Sequence, residues 1–134
     1  MVKLHLIFVS ILLVIVAAPV SAKTHREMYP YPCAKVWAAV KDTLRNSGKY
    51  GILSINNEEM VASYKISGNF MVNPRTNSAV LNTKGEQCEM QLQTESSGLP
   101  TNDEGNFKKR VDESMSKFGY AKKGSAAQTD APAK

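Results

Sequence analysis

The stretch Gly85–Ser96, "GEQCEMQLQTES", decides the fold. From Gln87 onward, Cys88, Met90, Leu92 and Thr94 fall on one side of an extended chain, and Gln87, Glu89, Gln91 and Gln93 on the other. Alternation of this period marks a half-buried strand, with one dry face and one wet face. The dry face needs a cover, and it carries a cysteine. What covers it, and what that cysteine meets, are the two questions the rest of the sequence has to answer.

Working outward, "SAVLNT" (Ser78–Thr83) precedes Lys84-Gly85, a tight-turn signal, so the two runs read as a hairpin. "YGILSIN" (Tyr50–Asn56) and "MVASYKIS" (Met60–Ser67), separated by "NEE", read as a second hairpin in which Met60, Ala62, Tyr64 and Ile66 share a face. Between the hairpins, "GNFMVNPRTN" (Gly68–Asn77) is rich in turn residues, and Pro74 argues against a regular strand. A long connection with a short paired piece at Phe70–Val72 is expected. "THREMYPY" (Thr24–Tyr31) offers a weak first strand.

The cover comes from two helices. In "PCAKVWAAVKDTLRNSG" (Pro32–Gly48), Cys33, Val36, Trp37, Val40 and Leu44 form one apolar stripe at helical spacing. Pro32 suits the first turn, where its missing N–H is no loss, and Gly48 suits a left-handed end. After the loop "GLPTND", Asn102 or Asp103 is positioned to cap a second helix, in which Phe107, Val111, Met115 and Phe118 recur at spacings of four, four and three. The order is β-α-β-β-β-β-α. An amphipathic helix and a half-wet sheet each have one apolar face, which predicts an α+β sandwich: an antiparallel sheet of four to five strands with both helices on one face.

The first 22 residues read as a signal peptide. Lys3 precedes an apolar run of 15 residues from Leu6 to Val20, and Val20-Ser21-Ala22 supplies small residues before Lys23. A retained anchor is the alternative, but Pro19 cuts the run short of the roughly 20 residues that a bilayer core requires. The expected organisation is a leader at 1–22, one α+β domain at 23–118 and a disordered tail at 119–134, small and polar in composition. Removing Lys3 with the leader leaves 16 basic and 12 acidic residues, a net charge of +4 spread along the chain. No aromatic residues interleave with that charge, so nucleic acid is not the expected partner.

The inventory for catalysis is short. His25 is the one histidine outside the leader, in a stretch expected to fray, and no serine motif accompanies it. Glu58-Glu59 fall in a turn, and Asp103-Glu104 open a helix, where acids favour the dipole. His25, Met28 and Cys33 could suit copper by softness, but no ligand spacing supports a metal, and no cofactor motif is present. The five methionines after the leader read as core filler, Met90 and Met115 above all. "FKKR" (Phe107–Arg110) spreads its charges around a helix and reads as a solvated face; contact with anionic lipid or an acidic partner is the alternative.

Both cysteines lie on apolar faces, Cys33 on the helix stripe and Cys88 on the dry strand face. In an exported chain, two cysteines read as one disulfide, which would staple helix to sheet; two buried thiols are the alternative.

"PCAKVWAAVKDTLRNSG", the strands after it and the closing "NDEGNFKKRVDESMSKF" (Asn102–Phe118) together resemble a helix-grip arrangement. Small bacterial envelope domains of the outer-membrane-assembly lipoprotein C type, and the wider START-like superfamily, share that order. The resemblance spans about Thr24 to Phe118 and implies a non-enzymatic binding or assembly role. It transfers no site residue, and this chain lacks a lipid-attachment cysteine after its leader. The expected function is therefore an exported, periplasmic or extracellular domain holding an envelope protein or an apolar ligand, with at most peripheral membrane contact. An enzyme of unrecognised type is the alternative.

Overall fold

The computed structural model describes residues 23–95 and 100–120. The expected leader, and the expected tail from residue 121 on, lie outside the described residues. The elements run β1 (Lys23–Tyr29), α1 (Cys33–Asn46), β2 (Tyr50–Asn56), β3 (Val61–Ile66), β4 (Arg75–Lys84), β5 (Gln87–Thr94) and α2 (Asp103–Lys117). The five strands form one sheet in the order β1-β5-β4-β3-β2, with every pair antiparallel. This is the α+β architecture that the alternating and helical periods require.

The dry face of β5 is dry along its whole length: Cys88, Met90, Leu92 and Thr94 are all buried. Register fixes their neighbours. Met90 lies between Glu27 of β1 and Leu81 of β4, and Leu92 between His25 and Ala79. Ala62 and Tyr64 of β3 extend the same face. Val36, Trp37, Ala39, Val40 and Leu44 of α1 and Phe107, Val111 and Met115 of α2 close over it as one continuous core. Tyr64 and Phe107 stack at 4.7 Å in that core. The two helices also join each other through polar groups, Ser114 Oγ donating to Asp42 Oδ2 at 2.7 Å and lying 3.1 Å from Thr43 Oγ1.

Turn chemistry behaves locally. Gly85 (φ +63°) begins the two-residue turn between Lys84 and Gln87, and Gly48 (φ +66°) follows α1, both in a conformation that side chains with a Cβ resist. Asn102 stands at the N-cap of α2, without a capping bond from its side chain.

Several expectations are corrected. β1 is not weak: it pairs with β5 over all seven residues, from Lys23↔Thr94 to Tyr29↔Cys88. Phe70–Val72 is not a paired piece. Asn69 Oδ1 accepts from the amides of Met71 and Val72, and the Asn69 amide donates to the Val72 carbonyl, so the side chain builds a turn where the apolar triplet suggests a strand. Phe118 lies just past the end of α2 and is exposed rather than in the core. Tyr120, within the stretch read as tail, packs its ring 5.1 Å from that of Tyr31, and its amide donates to the Met115 carbonyl.

Candidate functional site

β2 begins and β3 ends at one end of the sheet, where Tyr50 pairs with Ile66. α2 starts at the same end, because its first residue, Asp103, is held by Arg75, the first residue of β4. Between them lies an open cleft of about 310 Å³, lined in part by Lys49, Tyr50, Ser67, Asp103, Asn106 and Arg110.

Its charge is lopsided. Asp103 accepts from Arg75 Nη2 at 2.8 Å, from Arg75 Nε at 2.5 Å and from Thr101 Oγ1 at 3.1 Å, so its carboxylate is paired with Arg75. Lys49 and Arg110 remain as the cations of the lining. Arg110 Nε is buried and donates to no acceptor among the described residues. On its other side Arg110 borders a smaller cleft of about 130 Å³ between the helices, where Asp42 and Glu113 stand.

Tyr50 forms a rigid wall of the cleft. Its ring meets Tyr64 edge-on at 5.1 Å and Phe107 edge-on at 5.2 Å. Burial pushes its phenol pKa above the ordinary value of 10.0, and the neighbouring Arg110 guanidinium partly offsets that rise. The phenol oxygen accepts a hydrogen bond from that guanidinium. With the Ser67 hydroxyl and the Asn106 carboxamide, the cleft offers several donors and two cations to whatever enters it. Such a lining suits an anionic oxygen group.

Beside the cleft runs the outer edge of the sheet. β2 has no strand on its outer side among the described residues. Its register shifts between Ile52 and Ser54, leaving Leu53 bulged. Consecutive Ile52 and Leu53 are both exposed, Leu53 at 56 %. Phe70 and Met71 stand at the tip of the β3–β4 connection, Phe70 at 97 % exposure, three residues beyond Ser67 of the cleft. Four of the five large exposed apolar residues among those described therefore belong to this edge and this end; Phe118 is the fifth.

The residues singled out from sequence are scattered. Cys33 and Cys88 are joined as a disulfide with Cα atoms 4.8 Å apart, stapling the start of α1 to the start of β5. Trp37 is buried in the core, with Nε1 donating to Asn57 Oδ1 at 3.0 Å. His25 sits in β1, its Nε2 3.0 Å from Glu27 Oε1. Glu58 and Glu59 lie in the β2–β3 turn, where both amides donate to Asn56 Oδ1. Asp103 and Glu104 are buried at the start of α2. The "FKKR" charges separate: Lys108 donates to Asp112 Oδ2 at 2.7 Å, while Arg110 lines the cleft. Nothing local in the sequence marks Tyr50 and Arg110 as neighbours; only the packing of α2 over the β2–β3 end brings them together. Among the described residues, no helix is long and apolar enough to cross a membrane.

No protein-family model matches the chain, and no curated protein does. Among solved structures, it is similar to Ara h 8.0201, at 14% identity and a TM-score of 0.46 over 73% of this chain and 97% of that one. It is also similar to TTHA0849 from Thermus thermophilus, at 12% identity and a TM-score of 0.41 over 72% of this chain and 88% of that one. At these values the likeness carries neither a ligand nor a residue role to this chain.

Proposed function

We propose that this chain is an exported, non-enzymatic binding domain that holds a protein segment at the β2 edge, related in architecture to the helix-grip envelope domains that its element order resembles. The carrying observation is the concentration of exposed apolar side chains at Ile52, Leu53, Phe70 and Met71. Large apolar side chains left exposed in two consecutive pairs, Ile52-Leu53 and Phe70-Met71, are the kind of surface that interaction sites use. An unpaired edge strand adds a row of backbone donors and acceptors that an extended segment can use. Export is supported by the apolar leader and by the Cys33–Cys88 disulfide, which suits an oxidising compartment.

An apolar ligand held between helices and sheet is disfavoured, since Tyr64, Phe107, Met90 and Leu92 fill that space and are all buried. The reading is tested by placing a photocrosslinking amino acid at Leu53, at Phe70 and, as a control, at Lys84, the last residue of β4 at the other end of that strand from Arg75, in cells exporting the chain. Discrete protein adducts from Leu53 and Phe70 but not from Lys84 are expected. Adducts to lipid alone, or the same pattern from all three positions, would refute it. Intact mass of the exported protein should correspond to residues 23–134.

A further inference from the structure

We propose that the cleft captures the free C-terminal carboxylate of an extended peptide segment that pairs antiparallel with Tyr50–Ile52. The inference rests on reading the β2 edge as a protein-binding surface, and it names the part of the partner that binds.

Direction comes first. A strand added antiparallel to β2 ends where β2 begins. β2 begins at Tyr50, which lines the cleft together with Lys49 before it. The end of such a segment is thus delivered to Lys49, Tyr50 and Arg110.

The length of the ladder follows from the bulge. The shift between Ile52 and Ser54 interrupts the regular edge after three residues of β2. Bulges bend an edge and terminate pairing. So short a ladder binds weakly by itself and needs an anchor at one end. Ile52, Leu53, Phe70 and Met71 supply apolar contact around it, but none of them fixes direction.

Charge supplies the anchor. A carboxylate accepts hydrogen bonds only, and it favours charge-assisted donors. The cleft is lined by the Arg110 guanidinium, which hydrogen-bonds the Tyr50 phenol, and by the exposed Lys49 ammonium. The one carboxylate in the lining, Asp103, is already engaged by Arg75 and Thr101, which reduces its competition for those donors. An internal segment of a partner carries no charge at its backbone end. Only a chain terminus puts a backbone carboxylate at this position, and capture of a terminus beside an added strand is a known way of combining affinity with direction.

The test uses the full exported chain and a random peptide library displayed with free C-termini. Enriched sequences are then synthesised as free acids and as C-terminal amides and titrated by fluorescence anisotropy. The acid should bind at least about tenfold more tightly than the amide, the scale of a charge-assisted bond. Lys49→Gln and Arg110→Gln should each shrink that ratio while leaving the affinity for the amide unchanged. Lys49 is exposed, so its variant preserves the test even if the arginine variant folds poorly. Ile52→Lys should weaken acid and amide alike. Equal binding of acid and amide, still sensitive to Ile52→Lys, overturns carboxylate capture and leaves the edge reading standing. An acid preference that survives both cleft substitutions overturns the assignment to this cleft. Failure of any peptide to enrich overturns both readings.

Discussion

Arg75, the first residue of β4, closes a two-pronged contact on Asp103, the first residue of α2, with Nε 2.5 Å from Oδ2 and Nη2 2.8 Å from Oδ1. Both residues are 7 % exposed. The pair fixes where α2 begins on the sheet and so sets the width of the cleft beside it. An acidic residue in the first turn also suits the positive end of the helix dipole. Removing one partner strands the other as a buried charge, which costs about 3–5 kcal/mol, whereas apolar replacement of both is far milder. Arg75→Ala should therefore lower unfolding stability in urea by about 3 kcal/mol, and Arg75→Met combined with Asp103→Leu by much less. A double replacement as costly as Arg75→Ala alone would show that Asp103 is not stranded as a buried charge when Arg75 is removed.

The disulfide makes a second prediction. Cys33 opens the stripe of α1 and Cys88 opens the dry face of β5, and their Cα separation of 4.8 Å falls inside the range that a disulfide tolerates. Replacing both with alanine increases the unfolded chain's conformational freedom and should lower stability by about 2–4 kcal/mol. Non-reducing peptide mapping of exported protein should recover the two cysteine peptides linked. Two alkylatable thiols in denatured, unreduced protein would contradict the pairing.

Trp37 gives a third. It is the one tryptophan of the chain, so its fluorescence reports on a single site. Asn57 Oδ1 accepts from Trp37 Nε1 at 3.0 Å and from Lys41 Nζ at 3.1 Å, tying the middle of α1 to the β2–β3 turn. Asn57→Leu leaves a nearly buried indole N–H without its acceptor, and should lower stability by about 1–2 kcal/mol. The indole emission should shift, since the hydrogen bond to the ring is lost. An unchanged spectrum and unchanged urea midpoint would mean that the turn does not restrain α1.

What could be read from the sequence follows its periods. The alternation through Cys88, Met90 and Leu92 and the stripe through Val36, Trp37 and Val40 each declare a face, and two such faces have one economical way to meet. The cysteines are legible for the same reason, since each sits on a declared face. Contacts without a period are not legible. Arg75 and Asp103 lie 28 residues apart on different elements, and Asp103 alone reads as an ordinary first-turn acid. Phe70-Met71-Val72 reads as a strand fragment because the hydrogen bonds that override it, donated by the Met71 and Val72 amides to Asn69 Oδ1, depend on one short side chain. Phe118 continues the spacing of α2, but the helix stops at Lys117, and past that point the spacing no longer describes a face. The cleft is the extreme case: Lys49, Tyr50, Ser67 and Arg110 come from two loops, a strand and a helix, and only long-range packing makes them one surface.

The last prediction concerns alkaline pH. Burial pushes the phenol pKa of Tyr29 far above its ordinary value of 10.0, and the nearby Asp112 carboxylate, which accepts from Tyr29 Oη at 3.0 Å, pushes it further. Burial does the same to Tyr64 from the same starting value, with the neighbouring Tyr50 adding to the rise. In each case the folded state holds the proton more tightly than the unfolded chain does. The stability linked to these protons is therefore fully present below the unfolded pKa of about 10, and it is lost as pH climbs toward the raised folded values. The melting temperature should thus decline steadily above about pH 10, beyond any change seen between pH 7 and 9. Phenolate absorbance should show exposed tyrosines titrating first, with Tyr29 and Tyr64 ionising only together with unfolding. Tyr29→Phe keeps the ring, removes one of the linked protons and should flatten the alkaline decline, while giving up the bond to Asp112 at neutral pH. Tyr64→Phe should flatten it as well and spares that bond. All five tyrosines titrating near their ordinary pKa in protein that remains folded would refute the burial of both phenols.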